Sequence, residues 1–552
     1  MLFLLPTLFS LLLCTTVVNA EQPPPDVLFS RSLGKRTWGP RKTYNVSFYH
    51  INDVHAHIDQ FRSSGSSCTD PTKGCVGGYS RVKTIIDKTR PTHHNSLFLN
   101  AGDEFQGTLF YSFYKGSATA QVLNQMGFDA MTLGNHEFDD GDQHLAEFVH
   151  NLTIPVLSCN VHSANEKLQK KLIPYKLYPK HSLALVAVTT DTTPSISSPD
   201  NGTTFDEPIQ AVQKTVDLIR KRYPYIKRIV ALTHIGYDQD ILLAKQTRGV
   251  NLIIGGHSHT LLGSMAGAAG PYPTIEKNLD GQEVFIVTSY RWGEYLGYID
   301  IEYEQNSGKI LGYTGAPIHL TNDTVQNPQL QKEIDTFAEG FAHFATTIIG
   351  NTTKTLVQST CQQQECTLGD FIADAILAYR ESNGAVIGIT NSGGIRTEIE
   401  VGNITLQTSL ETFPFGNTVV DLTFTGAELW KIVESAISRV SQFNGRAVTS
   451  AVQWSHTLRV QYNPSNPAGS KIISITVNGE KLVADKQYHV AAIDFLAGGG
   501  DNVWEASMGG SWVPLKSLDE VFADQVTKLS PLSIEVDGRL SVTDQTTPEL
   551  KF

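Results

Sequence analysis

Five short apolar runs in the first half of this chain each end in a cluster of polar residues able to ligate metal, and no other feature restricts its folding as much. Residues 46–51 lead into Asn52-Asp53-Val54-His55, and residues 96–100 into Gly102-Asp103. Residues 130–133 precede Gly134-Asn135-His136-Glu137-Phe138-Asp139, and residues 251–254 precede Gly255-Gly256-His257-Ser258-His259. The run at 228–232 is closed by His234. These runs, and 183–188, have the length and apolar character of strands, while 79–89, 117–126 and 210–223 carry helical periodicity. The layout is α/β, and in such sheets the strand ends face one crevice, so that residues far apart in sequence converge.

Alone, each cluster reads as a turn, a helix cap or a surface histidine. Five in order at strand ends read as a site. Its donors are carboxylates, imidazoles and one carboxamide without a thiolate, a set that suits zinc or manganese. Two such ions about 3.5–4 Å apart, with Asp103 placed to bridge them, activate water and neutralise phosphoryl charge, which points to phosphate ester hydrolysis. His57, His93, His94, His150 and His456 lack such a setting and are expected to be solvated.

A chain of 552 residues calls for two large domains. A second strand–helix region runs from about 354 to 542, with helices expected at 367–379 and 426–440. A polar helical stretch at 328–347 connects the two. The formal charge of −12, from 43 basic and 55 acidic residues, argues against a nucleic acid polymer as partner. The apolar stretch from Leu2 to Val18 and the small-residue site Val18-Asn19-Ala20 mark residues 1–20 as a signal peptide. A secreted protein without a stable membrane anchor is therefore expected. Six Asn-x-Ser/Thr sites, at Asn45, Asn151, Asn201, Asn322, Asn351 and Asn403, fit a secreted glycoprotein. Proximity pairs Cys68 with Cys75 and Cys361 with Cys366, leaving Cys159 free and buried.

The four strand-end motifs resemble those of the secreted and ecto-5'-nucleotidase family. Asn391-Ser392-Gly393-Gly394-Ile395-Arg396, Thr412-Phe413-Pro414-Phe415-Gly416-Asn417 and Phe495-Leu496-Ala497-Gly498-Gly499-Gly500-Asp501 resemble that family's second domain. The resemblance implies a four-layer metallophosphoesterase sandwich at 30–325, a linker helix at 326–349 and an α/β nucleotide-binding domain at 350–545. It assigns one ion, zinc before manganese, to Asp53, His55 and Asp103, with His259 as an additional ligand, and the second to Asp103, Asn135, His234 and His257. His136 would be the catalytic donor oriented by Asp139. Phe415 and Phe495 would sandwich the base, Arg396, with Asn391 beside it, would fork onto the phosphate or the leaving end of the nucleotide, and Asp501 would accept from ribose. The substrate would lie in the cleft between the domains, and a homodimer through the second domain is compatible with the family.

One departure bears on substrate choice. Where monophosphate-specific relatives commonly carry arginine after the first cysteine of the Cys-x4-Cys loop, this chain has Gln362. A neutral amide lacks the charge and the fork of guanidinium. Expected action is on nucleoside monophosphates such as AMP. Nucleoside di- and triphosphates, nucleotide sugars and cyclic nucleotides are alternatives on the same metals, and a non-catalytic nucleotide-binding protein is a competing class.

Overall fold

The computed structural model describes residues 29–32 and 42–546 apart from 69–71 and 73. The expected signal peptide at 1–20 lies outside the described residues. Among the described residues, no helix is long and apolar enough to cross a membrane.

Alternation along the strand Leu183–Thr189 sets the layering of the first region. Leu183, Leu185 and Ala187 face one core while Ala184, Val186 and Val188 face another, all six fully buried. Apolar residues on both faces require cover on both sides of the sheet. This strand belongs to a six-stranded sheet ordered Thr274–Lys277, Glu283–Val287, Leu252–Ile254, Arg228–His234, Leu183–Thr189 and Tyr175–Tyr178. An eight-stranded sheet runs Phe29–Ser32, Ile310–His319, Tyr295–Glu304, Thr43–Ile51, Ser96–Asn100, Ala130–Thr132, Val156–Leu157 and Leu172–Ile173. The sheets meet over a shared core that includes Phe48, Leu99, Leu185, Val230 and Phe285. Helices Tyr79–Thr89, Gly116–Met126 and Gly141–Asn151 cover the outer face of the larger sheet. Helices Pro208–Arg222 and Tyr237–Gln246 cover that of the smaller. The result is the expected four-layer sandwich.

The connecting stretch forms two helices, Pro328–Glu339 and Ala342–Ala345. They break at Gly340, where a Cβ would come within 2.0 Å of the Tyr114 hydroxyl. Leu330 and Ile334 of the longer helix are buried in the first region's core, so this helix is packed against the sandwich. The second region has a single core between two four-stranded sheets and helices Thr367–Arg380, Gly426–Ser438 and Leu518–Leu529. One sheet is ordered Val419–Thr425, Gln487–Ile493, Ile387–Asn391 and Val452–Trp454. The other is ordered Glu480–Lys481, Ile472–Val477, Leu458–Tyr462 and Leu540–Val542.

Disulfides join Cys68 to Cys75 and Cys361 to Cys366. Cys159 is unpaired and half-buried, and burial pushes its thiol up to about 12. His57 departs from expectation. It is 3% exposed, its ring nitrogens face the carbonyls of Val54, His55 and Gly65 at 2.9–3.0 Å, and it stacks on Trp292 at 4.9 Å. His93 is half-buried, with its Nδ1 2.8 Å from the Tyr49 hydroxyl. His94, His150 and His456 are exposed.

Candidate active site

Parallel pairing brings the carboxyl ends of strands Thr43–Ile51, Ser96–Asn100 and Ala130–Thr132 together in one sheet, and those of Arg228–His234 and Leu252–Ile254 together in the other. The turns that leave these ends carry the polar clusters. Asp53, His55, Asp103, His257 and His259 all have positive φ, between 50° and 85°. Non-glycine residues are strained in that backbone and hold it only where the surroundings fix it. The turns are also too tight for side chains at certain positions: a Cβ on Gly134 would lie 2.1 Å from Asp103 Oδ1.

Asp103 is the hub. Its Oδ2 lies 3.0 Å from His234 Nε2 and 3.7 Å from His55 Nε2, while its Oδ1 accepts the His136 backbone N–H at 2.9 Å. Three overlapping donor groups are each compact enough to hold a cation: Asp53 with His55 and His259, Asp103 with His234 and His257, and His55 with Asp103 and His136. His55 Nε2 and His259 Nε2 are 3.0 Å apart, and His259 Nε2 is 3.6 Å from Asp53 Oδ1. His234 Nδ1 donates to the Ala101 carbonyl at 2.7 Å, which leaves Nε2 to face the carboxylates. The buried Asn135 Oδ1 has no hydrogen-bond partner, and His234 Nε2 has only the Asp103 carboxylate beside it. An orphaned buried acceptor converging with carboxylates and imidazoles is what a cation satisfies, so the donor set fits two divalent ions.

The electrostatics agree. Burial raises Asp53 to about 6 against the pull of His234. Burial disfavours a charged His234, yet Asp103 and Asp53 overcome it and lift the ring to about 10, which shows how much positive charge these carboxylates demand. Burial holds His257 down at about 3, and His55 and His259 well below the usual range. Neutral imidazole is the ligating form.

His136 opens the short helical turn His136–Phe138. Its Nδ1 bonds Asp139 Oδ2 at 2.7 Å, and Asp139 Oδ1 accepts from Ser197 Oγ at 2.7 Å. Burial opposes a charged His136, but Asp139 and Asp103 prevail and raise its pKa. From the second region, Arg396 Nη2 reaches within 3.4 Å of His55 Nε2, and its guanidinium lies 5.5 Å from the Phe415 ring centre. Phe415 in turn lies 5.5 Å from His136. Asn391 Nδ2 donates to Asp501 Oδ2 at 2.7 Å, leaving the buried Asn391 Oδ1 without a partner. Thr449 Oγ1 bonds the other Asp501 oxygen at 2.5 Å. Gln362 has both ends of its amide engaged, Nε2 by Ser450 Oγ at 3.1 Å and Oε1 by the Ala451 N–H at 2.9 Å.

A cavity of about 430 Å³ joins the two regions. Asp103, Asn135, His136, Asp139, His257 and His259 line it from one side, and Gln362, Asn391, Arg396, Phe415, Phe495 and Asp501 from the other. Asp53, His55 and His234 lie behind that lining, fully or almost fully buried. Several supporting residues escaped the sequence reading. Glu137 accepts the backbone N–H groups of Gly134, Asp103, Glu104 and Phe105 at 2.5–3.3 Å and so fixes the Asp103 turn. Asn52 holds Asp53 Oδ2 at 2.6 Å. Both stand inside the recognised motifs, whereas Ser197 and Thr449 carry no local signal.

The model for the calcineurin-like phosphoesterase family matches residues 46–261, and that for the 5'-nucleotidase C-terminal domain matches 348–507. The chain is 31% identical to human 5'-nucleotidase, with 88% of each covered. It is 30% identical to the snake venom 5'-nucleotidase of Naja atra, over 90% of this chain and 98% of the venom enzyme. Its structure is similar to that of a 5'-nucleotidase precursor from Thermus thermophilus, with a TM-score of 0.83 and 31% identity over 91% of this chain and all of that one. Relatives matched nearly end to end share both motif-bearing regions with it, so the chain belongs to the 5'-nucleotidase family and is a metal-dependent hydrolase of phosphoric monoesters.

Proposed function

We propose that this protein is a secreted 5'-nucleotidase that hydrolyses nucleoside monophosphates such as AMP to nucleoside and phosphate with two zinc ions. One observation carries the reading. A single cavity is lined by dimetal donors from the first region and by Phe415, Phe495 and the Asn391–Asp501 pair from the second, a match for a phosphate, a flat base and a ribose on one ligand. In this reading residues 30–325 and 350–545 act as two domains joined at 326–349. Secretion rests on the residues 1–20 pattern and on venom relatives.

Asp53, His55, His259 and the shared Asp103 would hold one ion, and Asp103, Asn135, His234 and His257 the other. The bound ions supply positive charge to the phosphoryl oxygens and acidify water. Arg396, placed beside His55, binds phosphoryl oxygens with its fork of donors. His136, with Nδ1 committed to Asp139, offers Nε2 as the donor to charge that develops on the phosphoryl group or the departing ribose oxygen. Phe415 and Phe495 orient the base, and Asp501, held by Asn391 and Thr449, accepts from ribose hydroxyls. The engaged amide of Gln362 makes Arg396 and the metals the principal phosphate contacts.

Phosphate release from AMP, UMP, ADP, ATP, a nucleotide sugar and a cyclic nucleotide, with and without a chelator, tests this. Chelator-sensitive release that is greatest with a monophosphate supports the proposal. A clear preference for a diphosphate, a nucleotide sugar or a cyclic ester refutes the monophosphate assignment.

A further inference from the structure

The strand Leu183–Thr189 ends beside the active site and leads into a segment that the proposed chemistry leaves without a role. Thr192, Ile196, Ser197 and Ser198 line the cavity shared by the two regions. The segment is pinned at both ends. The Thr190 N–H donates to the His234 carbonyl at 2.9 Å, and the Asp200 N–H donates to Oδ1 of buried Asp142 at 3.1 Å. Between these ties lies the short helix Thr193–Ile196, with Pro194 in its first turn. Thr193 and Ser195 brace it through hydroxyl bonds to the carbonyls of Thr190 and Thr192, both at 2.7 Å. Its other neighbour is Gly500–Asn502, the turn of the second region that carries Asp501.

Ser197 follows this helix, half-buried, and its Oγ donates to Asp139 Oδ1 at 2.7 Å. The other oxygen of Asp139 meets His136 Nδ1, also at 2.7 Å. The terminal torsion of an aspartate is soft, so a carboxylate held at one oxygen can still turn. Held at both, its plane is fixed, and so is the direction in which it grips the ring. The bond also crosses layers. His136 and Asp139 follow Ala130–Thr132 of the larger sheet, whereas Ser197 follows Leu183–Thr189 of the smaller. The same two sheets supply the metal donors, so the ring and the donors are set in one frame.

We propose that Ser197 is a positioning residue, the outer member of a chain Ser197–Asp139–His136 that fixes the angle from which the histidine Nε2 meets the reacting phosphate ester. Ser197 acts only through His136, so this role rests on the donor function proposed above for that histidine. Its hydroxyl bonds neither a metal donor nor Arg396, and losing it should therefore reduce turnover and spare binding.

A double-mutant cycle tests this, with steady-state kinetics on the nucleotide that the parent cleaves fastest and with metal content and Tm measured alongside. Ser197→Ala should lower kcat about three- to thirtyfold with KM within about twofold of the parent. Ser197→Thr, which keeps the hydroxyl, should recover most of that loss. In a His136→Gln background, adding Ser197→Ala should lower kcat less than about twofold, because the group it positions is gone. A serine that only shapes its loop would cost as much there as in the parent, and that result overturns the proposal, as does an unchanged kcat in Ser197→Ala. A parent kcat retained by His136→Gln would instead refute the donor role of the histidine, and the role of Ser197 with it.

Discussion

His136 is the side chain whose loss should be felt most cleanly in turnover. Its ring is anchored by Asp139, and through it by Ser197, while also standing close to His55 and Asp103. His136→Gln is expected to lower kcat by about 10²–10⁴-fold with metal content unchanged, checked by steady-state kinetics and elemental analysis. Arg396 is expected to act on binding. Arg396→Lys keeps the charge but loses the planar fork, and should cost about 1.5–3 kcal/mol in kcat/KM for a monophosphate. An equal loss on the nucleoside product, read as an inhibition constant, would show that the residue does not address phosphate.

Turns and helices hold these side chains through buried carboxylates that do no chemistry. The Glu137 side chain gathers four backbone N–H groups of two turns, and Glu137→Gln replaces part of that acceptor with a donor. A loss of about 2–4 kcal/mol in denaturant unfolding is expected, with weaker metal retention because Asp103 is no longer fixed. Asp240, in helix Tyr237–Gln246, bonds Thr233 Oγ1 at 2.6 Å, and burial pushes it up to about 8 against that hydrogen bond. A carboxyl that stays protonated in the fold but ionises near pH 4 when unfolded binds more protons in the native state, so stability falls as pH rises from about 4 to about 8. Asp240→Asn should flatten this slope and melt higher than the parent at pH 8. The strands and their polar ends were legible because period and composition are local. The burial of His57 was not, because it depends on Trp292, far along the chain. Nor was the need for glycine at 340, where a Cβ would meet the Tyr114 hydroxyl.

Across the whole molecule, the sandwich and the second region have separate cores, and the helix Pro328–Glu339 packs with the former. A fragment spanning 42–346 should fold, retain metals and hydrolyse a simple aryl phosphate. Its KM for AMP should rise more than about tenfold without Arg396, Phe415 and Phe495. Recovery of normal nucleotide kinetics by the fragment would mean that the second region does not recognise substrate. Within the sandwich, the donors come from both sheets: Asp53, Asp103 and Asn135 follow strands of the larger, His234 and His257 those of the smaller. Ions held this way would rivet two layers that meet over an apolar core and through a few cross-layer hydrogen bonds, such as those from Thr189 Oγ1 to the Leu133 carbonyl and from His234 Nδ1 to the Ala101 carbonyl. Ligation to the folded state alone adds about 2.7 kcal/mol when free metal is a hundredfold above its dissociation constant. The Tm of the sandwich is thus expected to gauge metal loading, and scarcity of divalent metal to leave this enzyme open to unfolding and proteolysis.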